Sequence, residues 1–194
     1  MVSGNFIGIN QEGKTIDADF HVIKLKENDN LFVEKIDENP KLLLTLPSLW
    51  TKIFKKSFIE KNNIRFMEGV PAQDLIFIDE CLINANGILY INKPIVDYFI
   101  RSKGESKSIS ANISKKNLNN YLKAFNRAYE VLHEYNVDYG WYAIKHMYFW
   151  SRQFLKSNLS MFDKVDLLEN AKFLYDEFNK SPRLNPPIDI KIFL

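Results

Sequence analysis

The spacing of apolar residues changes near residue 110, and this change constrains the fold more than any other feature of the sequence. Beyond it, apolar side chains recur every three or four residues, as in amphipathic helices. The first series is Leu118, Tyr121, Leu122, Phe125, Ala128, Tyr129 and Leu132. Further helices are predicted over residues 141–155 and 165–178, before a proline-rich end that cannot continue a helix. We expect these three helices to pack on one another and on a sheet formed by the first half.

The first half carries strand signals instead. Residues 2–9 are rich in β-branched and other apolar residues, and residues 18–23 alternate between the two faces of a strand. Residues 10–14 form a turn between them, so a hairpin is predicted. Residues 24–39 are charged and asparagine-rich, so a flexible surface connection is predicted there. The apolar residues 40–46 indicate burial, and residues 88–91 and 94–100 predict two more strands after Gly87. The pattern therefore predicts a mixed α/β fold with a helical C-terminal extension.

Residues 46–77 contain the most informative stretch, with Asp74 near its end. An amphipathic helix is predicted over residues 48–59, with Lys52 on its polar face. A second helix is predicted over residues 75–85, so Asp74 lies at a helix start, after turn signals at Gly69 and Pro71. Such an aspartate is usually a cap, because its oxygens accept main-chain N–H groups and its charge suits the helix dipole.

Composition sets outer limits. The 194 residues, 46% of them hydrophobic, suffice for one domain with a sizeable core. The net charge of +2 and the scattered lysines argue against a nucleic-acid partner. Cys81, the single cysteine, excludes an internal disulfide and is expected to be a buried thiol. No apolar run approaches the ~20 residues of a membrane-spanning helix, so we expect a cytoplasmic protein, with the inner face of the membrane as a further possibility.

The order of several motifs resembles family 2 glycosyltransferases of the GT-A fold. These motifs are Trp50-x-Lys52, Phe66-x-Glu68-Gly69, Gln73-Asp74-Leu75-x-Phe77, and Tyr98-x-x-Arg101 followed by a serine-rich loop. The resemblance covers about residues 2–110 and implies the acceptor-side portion of such a domain. Residues 111–194 would then form the helical extension.

The resemblance also implies roles for individual residues. Asp74 takes the place of the family's general base, and Gln73 replaces a glutamate that normally precedes it. Glutamine is neutral, so it lacks the negative charge that would raise the proton affinity of a neighbouring carboxylate. Asp74 is therefore expected to be a weaker base than its counterpart in the family. Substrate-binding roles are implied for six residues: Trp50, Lys52, Glu68 and Gln73 on the acceptor side, and Arg101 and Ser106 in the loop that closes over the donor diphosphate.

A divalent metal, Mn²⁺ or Mg²⁺, is expected for the family, bound by an Asp-x-Asp motif. By the resemblance that motif would precede Met1, so we expect the chain to begin part-way through the fold and to lack the metal ligands. Asp17-Ala18-Asp19 has the same Asp-x-Asp pattern, but it follows a solvated turn. It also lies much closer to Trp50 in the sequence than the family's motif lies to the corresponding tryptophan. We therefore assign no metal ligand from the sequence.

Two functions from different classes remain open. By resemblance, the chain transfers a sugar, with inversion, from a nucleotide-sugar donor to a hydroxyl of a glycan or polyol acceptor in cell-surface glycan synthesis. Alternatively, it is a non-catalytic binding or assembly module. The aromatic residues of the second predicted helix suit either a homo-oligomer contact or a peripheral membrane face, although core packing is the more common role of such residues.

Overall fold

The structure is a computed structural model that describes residues 1–16, 23, 25–26, 29–70, 72–99, 113–135 and 140–180. Within these residues the strands are β1 (Val2–Ile9), β2 (Thr15–Ile16), β3 (Asn30–Val33), β4 (Lys52–Ile53) and β5 (Ile88–Phe99). The helices are α1 (Lys56–Lys61), α2 (Gln73–Asn84), α3 (Lys115–Tyr135), α4 (Gly140–Leu155), α5 (Met161–Asn170) and α6 (Lys172–Lys180). Short 3₁₀ turns form at Ile36–Glu38, Pro40–Leu44 and Leu49–Thr51.

The described strands form one mixed sheet of five strands with β1 and β5 at its centre. β1 and β5 run parallel, with Val2 opposite Leu89 and Ile9 opposite Phe99. β2 and β4 pair antiparallel with the two ends of β1, and β3 pairs antiparallel with β5. The predicted mixed α/β class with C-terminal helices is confirmed. β2, at Thr15–Ile16, returns antiparallel along β1, whereas the predicted second hairpin strand, residues 18–23, lies almost wholly outside the described part and stays a prediction.

β5 is one strand where the sequence predicted two. The register with β1 shifts around Asn5, which lies opposite Pro94. Proline cannot donate to the ladder, and the irregularity lets pairing continue beyond it. Next to this shift, a Cβ on Gly4 would stand 2.8 Å from Cδ1 of Ile95, so the Ile95 side chain would have to move to make room for a larger residue.

The prediction of a flexible connection over residues 24–39 is wrong. β3 and the turn at Ile36–Glu38 form within that range, and Val33 and Ile36 are buried in the core. Phe32 between them is 62% exposed, so the short apolar run alternates between the two faces of the sheet. The many charged and asparagine residues around the run obscured this strand in the sequence.

α2 is the central helix, since eight of its twelve residues are buried. α3 packs against α2, and α4 packs against α3, α6 and the Pro40–Leu44 turn. The C-terminal helices thus pack on one another as predicted, and α3 makes its main contact outside them with α2. The third predicted helix is two helices, α5 and α6, separated at Ala171. The proposed division into residues 1–110 and 111–194 stays a prediction, because residues 100–112 lie outside the described part.

Replacing Ser160 with Ala should lower the free energy of unfolding by about 1 kcal/mol. Ser160 is the N-cap of α5, and its hydroxyl oxygen accepts the main-chain N–H of Asp163 at 3.2 Å. Urea unfolding followed by circular dichroism measures the change. The control is Asn158→Ala, which alters an exposed residue two positions before the cap. Equal stability of both variants and the wild type would contradict a capping role for Ser160.

Candidate active site

Asp74 lies in the first turn of α2, as predicted, but it is not a hydrogen-bonded cap. The N-cap residue is Ala72, in the left-handed conformation at φ 65°, and it makes no side-chain capping bond. Asp74 is partly exposed, and within the described residues no donor pairs with its carboxylate. Its charge still lies where the helix dipole favours it. The backbone of Asp74 is therefore placed by the first turn of α2, and its carboxylate oxygens are available.

An aromatic cluster borders the face of α2 that carries Asp74. Phe77 lies three residues after Asp74 and so shares its face of the helix. Phe66 stacks on Phe77 with ring centroids 4.3 Å apart, and Phe54 meets Phe77 edge-on at 5.6 Å. Phe66 remains 44% exposed, and Glu68 is exposed in the turn that follows it. Asp74 thus shares its helix face with an apolar surface that is partly open to solvent.

A second aromatic group joins Trp50 to the sheet. Trp50 stacks on Tyr98 with ring centroids 5.0 Å apart, and Phe6 meets both rings edge-on. Trp50 and Tyr98 are 41% and 46% exposed. Two motifs that are far apart in the sequence therefore meet at one surface, where flat rings are available for the C–H face of a sugar.

The predicted helix over residues 48–59 is wrong. A 3₁₀ turn, β4 and the short α1 occupy this range, because β4 pairs with the start of β1. Lys52 is consequently buried rather than solvent-facing. Its Nζ donates to the carbonyls of Leu46 at 2.8 Å and Ser48 at 3.3 Å, and burial lowers its pKa to about 8. The amine therefore anchors the turn before it, and its predicted contact with substrate stays a prediction.

The other predicted site residues are placed only in part. Gln73 is exposed at the start of α2, beside Asp74. Arg101 and Ser106 lie outside the described residues, as do Asp17 and Asp19. Among the residues that are described, no group of three or more His, Cys, Asp or Glu side chains is arranged to bind a metal ion. The described residues therefore do not fit the divalent metal expected for the family.

Sequence reasoning missed a buried polar cluster around Asp79, which is 2% exposed in the middle of α2. The hydroxyl of Tyr142 donates to its carboxylate. Burial raises the pKa of Asp79 to about 7, against the opposing effects of Tyr142, Lys145 and Lys52. Burial also lowers the pKa of Lys145 to about 8, and its Nζ donates to the carbonyls of Leu44 and Thr45, each at 3.2 Å. In the sequence, the only sign of this cluster is an acidic residue, Asp79, within the apolar pattern of a predicted helix.

Cys81 in α2 and His146 in α4 are two further buried side chains. Cys81 is fully buried, and burial raises the pKa of its thiol to about 12, which confirms an unreactive thiol. His146 in α4 is 2% exposed, and neither of its ring nitrogens has a hydrogen-bond partner among the residues that the structure describes. Burial lowers the pKa of His146 well below its usual value, so the ring is neutral.

A cavity of about 520 Å³ lies on another side of α2. It is bounded by the start of α2, by α3 and α4, and by the residues after the Pro40–Leu44 turn. Ala72 and Leu75 line it, but Asp74, one residue before Leu75, does not. One residue corresponds to about 100° around a helix, so Asp74 faces away from this cavity. The cavity and the Asp74 face are therefore separate features.

Comparison with known proteins supports the resemblance. No protein-family model matches the sequence. The chain is 26% identical over 155 residues to the poly(ribitol-phosphate) β-N-acetylglucosaminyltransferase TarP of Staphylococcus aureus, a match covering 73% of this chain and 45% of that protein. It is also 26% identical over 91 residues to the uncharacterized glycosyltransferase YibD of Escherichia coli, covering 47% of this chain and 26% of that protein. The chain is distantly related to bacterial glycosyltransferases.

The chain spans about a quarter of the length of YibD and just under half of the length of TarP. The relationship confirms the resemblance predicted from the motifs around Asp74. Among the described helices, none has the length and apolar character needed to cross a bilayer.

Proposed function

We propose that the chain is the acceptor-side part of an inverting family 2 glycosyltransferase of the GT-A type, in which Asp74 is the general base. The observation that carries the proposal is the partly exposed carboxylate of Asp74, which has no partner among the described residues and lies on the α2 face that also bears Phe77 and the Phe66 stacked on it. The distant relationship to two glycosyltransferases supports the reaction class.

In the proposed reaction, an acceptor hydroxyl is held with the sugar or polyol against the exposed ring of Phe66. Asp74 removes the hydroxyl proton while the oxygen forms a bond to the anomeric carbon of the nucleotide-sugar. The bond from that carbon to the diphosphate breaks, and the nucleoside diphosphate leaves with the electron pair. Attack opposite the leaving group inverts the anomeric centre. The acceptor is proposed to be a cell-surface glycan or polyol, and Arg101 and Ser106 stay proposals for the donor diphosphate.

Transfer assays test the proposal directly. The chain is incubated with Mn²⁺, with radiolabelled nucleotide-sugars one at a time, and with poly(ribitol phosphate) or glycan acceptors. We expect one combination to give release of nucleoside diphosphate and labelled polymer that depend on both substrates. The absence of transfer, together with the absence of calorimetric binding of every donor and acceptor tried, would contradict the proposal.

Phe66 offers a sharper test of the acceptor surface. Phe66→Ala should raise the KM for the acceptor by about tenfold with a smaller effect on kcat, because the ring supplies about 1 kcal/mol or more of contact without taking part in proton transfer. Phe32→Ala is the control, since it removes another exposed phenyl ring, 62% exposed against 44% for Phe66, from β3. An equal change in both variants, or a change in neither, would argue against an acceptor at Phe66.

A second candidate function is assembly through the C-terminal helices, and the exposure of α5 favours it. Met161, Phe162, Val165 and Leu168 are 77%, 91%, 49% and 53% exposed. Such a run of exposed apolar side chains is characteristic of a contact surface. Light scattering distinguishes the two functions. A stable oligomer without any substrate binding favours assembly alone, whereas a monomer that binds a nucleotide-sugar favours the transferase.

A further inference from the structure

The cavity beside α4 has a volume suited to a small-molecule ligand. Its 520 Å³ falls within the range of about 300–1,000 Å³ that such sites occupy. One face of α4 supplies much of its wall, because Lys145, Phe149 and Arg152 recur at three and four residues, and Lys156 directly after the helix continues this face. The transferase mechanism above makes no use of this space.

The interior of the cavity is apolar. Leu46, Leu75 and Pro47 line it on one side, and Tyr121 and Phe149 meet edge-on at 5.2 Å on the other. A ligand that enters must therefore bring an apolar body, because these walls offer few hydrogen-bond partners.

Two polar side chains of the wall, Lys145 and His146, do not alter this character. The amine of Lys145 is engaged by the carbonyls of Leu44 and Thr45 and so is directed to that turn. His146 stacks on Phe125 with ring centroids 4.0 Å apart and is neutral, because burial and the charge of Lys145 lower its pKa. Neither group places a free charge in the interior.

The positive charges that a ligand can reach are at the exposed end of the cavity. Arg152, in the last turn of α4, and Lys156, the residue directly after α4, both line the cavity and are exposed. Within the described part of the chain neither forms an ion pair, and no Asp or Glu is among the described lining residues. The electrostatics at this end therefore suit an anion, and a guanidinium beside an ammonium suits a carboxylate or phosphate.

We propose that the cavity binds one molecule of a single-chain amphiphile with an anionic head, such as a long-chain carboxylate or an alkyl phosphate. The head group lies at Arg152 and Lys156, and the alkyl chain enters the space bounded by Leu46, Leu75 and Phe149. The volume of the cavity accommodates one alkyl chain. The ligand is therefore a monomeric amphiphile taken up from solution, and not a lipid that remains in a bilayer. This site is independent of Asp74, which faces away from the cavity.

Isothermal titration calorimetry tests the proposal with dodecyl phosphate and dodecanoate, each below its micelle-forming concentration. We expect saturable binding of one molecule per chain, with a negative heat-capacity change from burial of the apolar chain. Dodecanol, which has the same chain without a charge, should bind at least about tenfold more weakly because it loses the charge-assisted bonds.

Three variants separate this site from general adsorption. Replacing Arg152 and Lys156 together with Ala should weaken binding of dodecyl phosphate at least about tenfold. The matched control replaces Lys123 and Lys172, two exposed cations that do not line the cavity, and should bind as the wild type does. Gln153→Trp fills the cavity from a partly exposed position of α4 and should abolish binding without changing the melting temperature.

Several results would overturn the proposal. Equal loss of binding in the two double variants would show adsorption to net charge. Retained binding in the Gln153→Trp variant would place the ligand elsewhere. Binding of inorganic phosphate or uridine diphosphate in place of dodecyl phosphate would make the site one for polar anions. Binding to anionic vesicles without binding of monomeric amphiphiles would make it a membrane-contact surface. None of these outcomes depends on whether the chain transfers sugars.

Discussion

Replacing Asp74 with Asn is expected to lower kcat for glycosyl transfer by about 10²–10⁴-fold, the usual contribution of a general base. The amide preserves the shape of the side chain but cannot accept the proton of the acceptor hydroxyl. The KM for the acceptor should change little, because the aromatic surface at Phe66 and Phe77 remains. Release of nucleoside diphosphate, measured at several acceptor concentrations, gives both constants.

Asp163→Asn is the matched control for Asp74→Asn. Asp163 also lies in the first turn of a helix, α5, and it additionally pairs with Lys115 at 2.8 Å, so its replacement also removes one partly exposed ion pair. If the Asp74 carboxylate acted only on the helix dipole, both variants would lose a little stability and keep their turnover. Near-normal transfer by the Asp74 variant, with a lowered melting temperature, would show that the residue stabilises α2 and has no part in proton transfer.

Replacing Asp79 with Ala should lower the free energy of unfolding by about 3 kcal/mol. The change leaves the buried hydroxyl of Tyr142 without its acceptor and removes the acid nearest to Lys145 and Lys52. Urea unfolding at neutral pH measures the effect. Glu80→Ala is the control, because the neighbouring Glu80 pairs with Arg127 at 3.6 Å near the surface and should cost less than about 1 kcal/mol.

The pH dependence of stability gives an independent check on Asp79. Its pKa is about 7 in the fold and 3.8 ordinarily, so the folded state holds the proton more tightly. The stabilisation from this proton is complete below about pH 4 and is lost as the pH rises through about 7. Burial lowers the pKa values of Lys52 and Lys145 to about 8, so the titration of these two lysines changes the stability at higher pH than that of Asp79 does.

Asp79→Asn should therefore flatten the stability profile between pH 4.5 and about 7.5 relative to the wild type. The asparagine keeps an acceptor for Tyr142 but does not titrate. Stability curves that run parallel for the two proteins across this range would contradict a raised pKa of Asp79.

The parts of the fold that the sequence predicted are those with a regular apolar period. α3 and α4 follow from side chains such as Leu118, Phe125 and Trp150, and α2 from the run after Asp74. These helices bury a continuous apolar face, so local pattern and tertiary packing agree.

The parts that the sequence mispredicted depend on distant partners. Lys52 looked like a residue on the polar face of a helix, but pairing of β4 with β1 makes its segment extended and directs the amine to main-chain carbonyls. β3 forms because an edge of β5 is available to it. In both cases a strand partner outside the local window overrode the local pattern.

The candidate site was predictable only in outline. The position of Asp74 at a helix start and the meeting of Trp50 with a sheet residue, Tyr98, agree with the order of motifs. The environment of Asp79 and the cavity of α4 were not predictable, because each joins side chains from helices far apart in the sequence. No local periodicity encodes such an arrangement.

The parallel pairing of β1 with β5 has a consequence for the order of events during synthesis. Val2 leaves the ribosome long before Leu89, its partner across the ladder, and the whole of α1 and α2 lies between them. β1 must wait for a long loop to close, so that closure is expected to limit the folding rate. During that interval its main pairing edge is open to other chains, and a chaperone that binds extended apolar segments would act at this stage.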